Sequence, residues 1–196
     1  MALSDIDLVM LAKASQDETA FAELVRRHQA GLRAFLRRLG PNDGHADDIA
    51  QEAFLKAHGR LSGFQGGASF RSWLYAIAWR EFLQAKRKAG ARGRAAAAFA
   101  AEPRDGKDVR DLSADLSLDL KRALGRLDES ERAAILLCDA AGLSHGEAAA
   151  ALGAPLGTVK SQIARAREKL RAALEGRISS PNAHASSQPN GAAHAC

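Results

Sequence analysis

Between the glycine and proline breaks of this chain, apolar residues recur with the period of an α-helix, and no stretch shows the sustained alternation of a strand. The clearest run is Phe21, Leu24, Val25, Leu32, Phe35, Leu36 and Leu39, whose spacing places all seven on one face of a helix. Alanine is abundant, and the β-branched residues Val, Ile and Thr are sparse, which favours helix on intrinsic grounds. The chain is therefore expected to be all-α. The predicted helices span 4–14, 17–39, 43–60, 69–88, 116–126, 128–141, 144–151 and 155–176. Asp17 is placed to cap the second of these, and Gly40-Pro41 to stop it. Ser62-Gly63 and Gly66-Gly67 interrupt the chain again before the aromatic run FRSWLYAIAWREFL.

Periodicity fails between residues 89 and 115, where AGARGRAAAAFAAEPRDGKDVRDLSAD mixes Gly, Pro and charges of both signs without an apolar face. Two small helical domains joined by a flexible linker are expected, at 2–88 and 116–176. The segment 177–196 is polar and too poor in apolar residues to offset its ordering entropy, so it is expected to be a disordered tail.

Lys and Arg exceed Asp and Glu by 28 to 23, for a formal charge of +5, which favours a polyanionic partner. No apolar run approaches the span of a bilayer, and the N-terminus carries Asp5 and Asp7 where a secretion signal would be basic. A cytoplasmic protein that makes no membrane contact by itself is expected. Cys138 and Cys196 offer neither a disulfide framework nor zinc spacing, and a small core residue and a tail thiol are the simpler assignments. The six histidines lack metal-ligand spacing and no Gly-rich phosphate loop occurs, so no enzyme, metal or cofactor is expected. His184, His194 and Cys196 leave open a metal-binding or redox-sensing tail.

The basic charge is concentrated in LSHGEAAAALGAPLGTVKSQIARAREKL, which has the grammar of a helix-turn-helix. Ser144 and Glu147 have capping-box spacing, Ala148–Ala151 permit close helix approach, Gly153 permits the turn and Pro155 suits the start of the next helix. In that second helix Val159, Ile163, Ala166 and Leu170 form a buried stripe, leaving Thr158, Lys160, Ser161, Arg165 and Arg167 for another surface. A helix of this kind fits the major groove, with side chains near its start at base edges and flanking cations at phosphates.

The first half carries two contrasting surfaces. In HADDIAQEAFLKAHGRLSGF the apolar set Ile49, Ala53, Phe54, Ala57 and Leu61 opposes Asp47, Asp48, Gln51 and Glu52. An acidic face repels DNA, so it is either solvated or meets a basic protein. The next helix combines Arg71, Trp73, Tyr75, Trp79 and Arg80 with the cationic run Lys86, Arg87 and Lys88, followed by Arg92 and Arg94. Aromatics beside cations are what a surface for unpaired bases needs. Trp73 shares the core stripe with Phe70 and Ile77, so Tyr75, Trp79 and Arg80 are the expected stacking surface.

Read together, the halves resemble the extracytoplasmic-function (ECF) sigma factors of bacterial RNA polymerase. FAELVRRHQAGLRAFLRRL, ADDIAQEAFLKAHGRLSGF and SFRSWLYAIAWREFLQAKRK are similar to sigma region 2, and LGRLDESERAAILLCDAAGLSHGEAAAALGAPLGTVKSQIARAREKL to region 4. The resemblance implies that Asp47, Asp48, Gln51 and Glu52 dock on the clamp helices of the largest subunit of core RNA polymerase. It implies that loop 60–69 and Arg71, Tyr75, Trp79, Arg80, Lys86 and Arg87 melt and hold the minus-ten element. Thr158, Lys160, Ser161, Arg165 and Arg167 would contact the minus-thirty-five element of promoter DNA. After WLYAIA this chain has Trp79-Arg80 where many members carry Arg-Asn. The inhibitory N-terminal region of housekeeping relatives is not seen in the sequence, so control by an anti-sigma factor is expected. The competing reading is a stand-alone helix-turn-helix regulator, in which the acidic face and the aromatic-basic helix have no task.

Overall fold

The computed structural model describes residues 3–15, 18–40, 45–96 and 112–178. They form α1 (Asp5–Ser15), α2 (Glu18–Leu39), α3 (Ala46–Gly59), a 3-10 turn (Leu61–Gly63), α4 (Phe70–Ala96), α5 (Leu112–Gly125), α6 (Glu129–Ile135), α7 (His145–Leu152) and α8 (Leu156–Ile178). Between α6 and α7 the helix continues as one π-helical turn, Leu136–Ala140, closed by Ala141 N–H donating to the Leu136 carbonyl at 2.9 Å. No strand occurs among the described residues, and none of their helices is long and apolar enough to cross a membrane.

The expected linker is narrower than its composition suggests. Helix α4 continues past residue 88 to Ala96, and α5 begins at Leu112 rather than 116. Alanine and arginine are strong helix formers and sustain the end of α4 without an apolar face, so the lack of periodicity misplaced that boundary. Asp17, Pro41, residues 97–111, the side chains of Arg92 and Arg94, and the tail with His184, His194 and Cys196 lie outside the described residues.

Helices α1–α4 surround a core in which the stripe expected on α2 is realised: Leu24, Leu32, Phe35, Leu36 and Leu39 are buried and meet Ala53, Phe54 and Ala57 of α3 and Leu74 and Ile77 of α4. Gly31 lets α2 and α4 approach, because a Cβ there would stand 3.1 Å from the Tyr75 hydroxyl. Helix α1 is tied down by Asp5 Oδ2, 2.7 Å from the buried His28 Nε2, and by Lys13 Nζ, which donates to the Phe64 carbonyl at 2.9 Å. In the second half α6, α7 and α8 enclose Ala133, Ala134, Leu137, Ala148, Val159, Ile163 and Ala166. Cys138 is half-buried beside this core, and burial pushes its thiol pKa up.

The two halves pack against each other, chiefly α4 on α7 and α2 on the end of α6 and its π turn. Arg132 ties them: its Nη1 donates to the Leu39 carbonyl at the end of α2 (2.8 Å), while its Nη2 donates to the Leu127 carbonyl of its own half (3.0 Å).

Candidate nucleic-acid interface

The helix-turn-helix is built as its residues dictate. Ser144 Oγ accepts from Glu147 N–H (3.2 Å) and Glu147 Oε2 accepts from Ser144 N–H (2.9 Å), a reciprocal cap at the start of α7. The helix ends at Gly153 with φ +65°, a left-handed conformation that favours glycine, and Ala154 N–H closes back on the Ala149 carbonyl at 3.0 Å. Pro155 precedes α8, which buries Val159, Ile163 and Ala166 as expected and half-buries Leu170.

Thr158, Lys160, Ser161, Arg165 and Arg167 all lie on the exposed side of α8. They are not equally free. Ser161 donates its hydroxyl proton to the Thr158 carbonyl at 2.8 Å, leaving its oxygen as an acceptor. Arg167 forms a two-point pair with Asp139 of the π turn, at 2.8 and 3.3 Å. Arg165 lies 3.5 Å from Glu131. Lys160 has no carboxylate partner among the described residues, so it is the most available of the three cations in this set. Lys169, outside the expected set, donates to Glu131 at 2.7 Å.

On α3 the acidic residues separate by role. Asp47 is turned to α2, paired with Arg37 at 3.0 Å and Arg33 at 3.5 Å, and so braces the fold. Asp48, Gln51 and Glu52 are exposed, with Glu52 3.3 Å from Lys56. Beside them Leu55 is 60% exposed. Sequence reading passed over Leu55, although in the Phe54-Leu55 pair only one residue could join the narrow stripe facing the core. Leu55 thus adds an exposed apolar spot to the helix that carries Asp48, Gln51 and Glu52.

The aromatic surface expected on α4 is corrected. Tyr75 is 3% exposed and its ring meets Phe35 edge-on at 5.1 Å; Trp79 is 8% exposed and stacked on Phe82 at 5.7 Å. Burial raises the Tyr75 pKa. Trp73, expected in the core, is only half-buried and packs against Phe64 and Phe70 at the 60–69 loop. The cause is that α4 is covered on more than one side, by α2 and α3 and by α7. A single-stripe reading cannot anticipate the second face. What α4 leaves outward is cationic: Arg71, Arg80, Lys86, Arg87 and Lys88.

Two of these cations, and the loop before them, touch the second half. Ser69 Oγ, whose oxygen accepts from Ser72 N–H at the start of α4, donates to Glu147 Oε1 at 2.6 Å. Arg71 donates to the Ala141 carbonyl at 3.2 Å, and Lys86 pairs closely with Glu129. Arg80 and Arg87 form no ion pair among the described residues and face solvent.

An acidic-apolar face in a helical half, followed by a helix-turn-helix with a cationic outer face, defines a two-part transcription factor of the sigma-70 class. Residues 24–92 match the family Sigma-70 region 2 and residues 117–170 match Sigma-70, region 4. The chain is 36% identical over 182 residues, 87% of its length and 95% of the relative's, to RNA polymerase sigma factor NccH of Alcaligenes xylosoxydans xylosoxydans. It is 36% identical to the ECF RNA polymerase sigma factor SigM of Mycobacterium tuberculosis, covering 85% of this chain and 83% of that one. Among solved structures it resembles the sigma factor RpoE in complex with the anti-sigma factor NepR from Bartonella quintana, with TM-score 0.69 and 32% identity over 79% of this chain and 96% of that one. The chain belongs to the ECF sigma factors of RNA polymerase. Such proteins are initiation factors rather than enzymes.

Proposed function

We propose that this ECF sigma factor divides its work between the surfaces described above. Asp48, Gln51, Glu52 and Leu55 of α3 dock on a basic-rimmed surface of core polymerase, while Asp47 holds α3 to α2. Helix α8 enters the major groove of the minus-thirty-five element, with Lys160, Thr158, Ser161 and Arg165 toward the base edges and Arg167 toward the phosphates. The melted minus-ten strand is held by the 65–69 loop, the partly exposed Trp73 and the cations Arg71, Arg80, Lys86 and Arg87. The observation that carries this reading is the pairing in one chain of a capped helix-turn-helix with an exposed cationic helix and an acidic helix that also bears an exposed leucine. A stand-alone regulator would need the first and not the second.

Arg71 and Lys86 are engaged by the second half, so strand capture requires the halves to part. Promoter and polymerase binding would supply that separation. The solved relative bound to an anti-sigma factor supports control of this chain by such a partner, in the cytoplasm where the polymerase works. The functional divide falls between α4 and α5, with residues 2–88 and 116–176 inside its two parts. The test is transcription from candidate promoters by core polymerase with and without the protein. Initiation only in its presence supports the reading, and duplex binding with no effect on initiation overturns it.

A further inference from the structure

Beneath α8 lies a carboxylate that its place in the sequence does not explain. Glu131 is at the third position of α6, where its Oε2 accepts from Asp128 N–H at 3.2 Å. A glutamate in this capping position is ordinarily solvated, yet Glu131 is 3% exposed. A buried carboxylate is unfavourable unless cations compensate it. Both compensating cations come from α8: Lys169 Nζ at 2.7 Å from Oε2, and Arg165 Nε at 3.5 Å from Oε1. Residues 165 and 169 stand one turn apart, so a single carboxylate braces a full turn of that helix. Arg165 presents its Nε edge to Glu131 while its side chain remains 59% exposed. This ion pair draws the root of the guanidinium toward Glu131 and leaves its outer end to solvent, where DNA would meet it.

We propose that Glu131 is a positioning residue for duplex reading: it fixes Arg165 and Lys169 in advance and removes one unit of charge that would bind any phosphate. The proposal rests on α8 being the helix that contacts duplex DNA. Leaving a long side chain to be ordered on binding costs about twofold to tenfold in affinity. The same loss of a negative charge favours phosphate contact regardless of sequence. Sequence discrimination, more than affinity, should therefore depend on Glu131.

The experiment uses holoenzyme assembled from core polymerase and the full chain. One promoter fragment is enriched from a random pool by the wild-type holoenzyme; the other is the same fragment with its upstream block scrambled. Glu131→Gln keeps a side chain able to complete the cap, and it should lower the intact-to-scrambled affinity ratio by about threefold to tenfold without weakening binding to the scrambled fragment. Glu175→Gln, exposed on α8, changes net charge equally and should leave the ratio unchanged. A purely structural role would instead lower the unfolding midpoint and both affinities together at constant ratio, which overturns the proposal, as does an equal effect of Glu175→Gln. If Lys160→Ala lowers the ratio and Glu131→Gln does not, this inference alone fails. If Lys160→Ala also leaves it unchanged, the assignment of α8 fails and the inference with it. Should Glu131→Gln not fold, Glu131→Gln with Lys169→Met removes the pair without stranding a buried charge. That double variant should fall below Lys169→Met alone, and equal ratios overturn the proposal.

Discussion

Trp79→Ala distinguishes a helix that holds DNA through its aromatics from one that holds it through its cations. The indole is 8% exposed and lies nearly parallel to Phe82, at 5.7 Å and 16°. A buried aromatic of this size withdraws about 150–250 Å² from water. At about 25 cal/mol per Å² that is about 4–6 kcal/mol, in line with the 3–5 kcal/mol that truncating a core Phe or Trp costs. Natural domains are stable by only about 5–15 kcal/mol, so about a fifth of the total or more would go. With a urea slope of about 2 kcal/mol/M, the unfolding midpoint should fall by roughly 2 M. An exposed stacking residue behaves oppositely: its loss costs about 1–3 kcal/mol of single-strand affinity and leaves folding nearly untouched. Arg80→Ala serves as the counterpart, with stability expected within about 0.5 kcal/mol of wild type and strand binding weakened. Urea unfolding followed by circular dichroism, beside titration of a labelled single-stranded minus-ten oligonucleotide, measures both quantities. A Trp79→Ala protein with an unchanged midpoint and lost strand affinity would refute the buried assignment.

Charge reversal of Asp48 and Glu52 to Lys, or Leu55→Asp, should weaken core-polymerase binding in a titration while leaving the unfolding midpoint near wild type, because all three side chains are exposed; Asp47→Lys should instead act partly through the fold, by losing Arg37 and Arg33. Gly153→Ala has free space around the new Cβ but sits at φ +65°, so it should destabilise the chain by about 1–2 kcal/mol in chemical denaturation through backbone conformation alone. The Ser69 hydroxyl and then the Ser144 N–H hold the Glu147 carboxyl below its ordinary 4.5. A depressed folded pKa means that its contribution is complete above that value and lost as pH falls below it, so energy transfer between dyes on α3 and α8 should report separation of the halves on acidification below about pH 4.5. Glu147→Gln should remove that part of the acid response.

The sequence by itself determined the helices and much of their chemistry, because those depend on neighbours three and four residues away. The stripe of α2, the reciprocal cap of Ser144 and Glu147, the left-handed Gly153 and the buried Val159, Ile163 and Ala166 are all local in this sense. The resemblance to the ECF sigma factors was legible for the same reason, since its motifs lie along single helices. Tertiary structure decided whatever depends on a second covered face or a distant charge. Tyr75 and Trp79 went inward because α4 is enclosed by α2, α3 and α7, which no single-helix pattern encodes. Asp47 pairs with Arg33 and Arg37 because those residues stand on another helix beside it, whereas Asp48 has only His45 of its own helix start within reach. Glu131, which the sequence did not single out, became the buried anchor of Arg165 and Lys169 because α6 and α8 pack side by side, and a carboxylate excluded from water must find its cations across that contact.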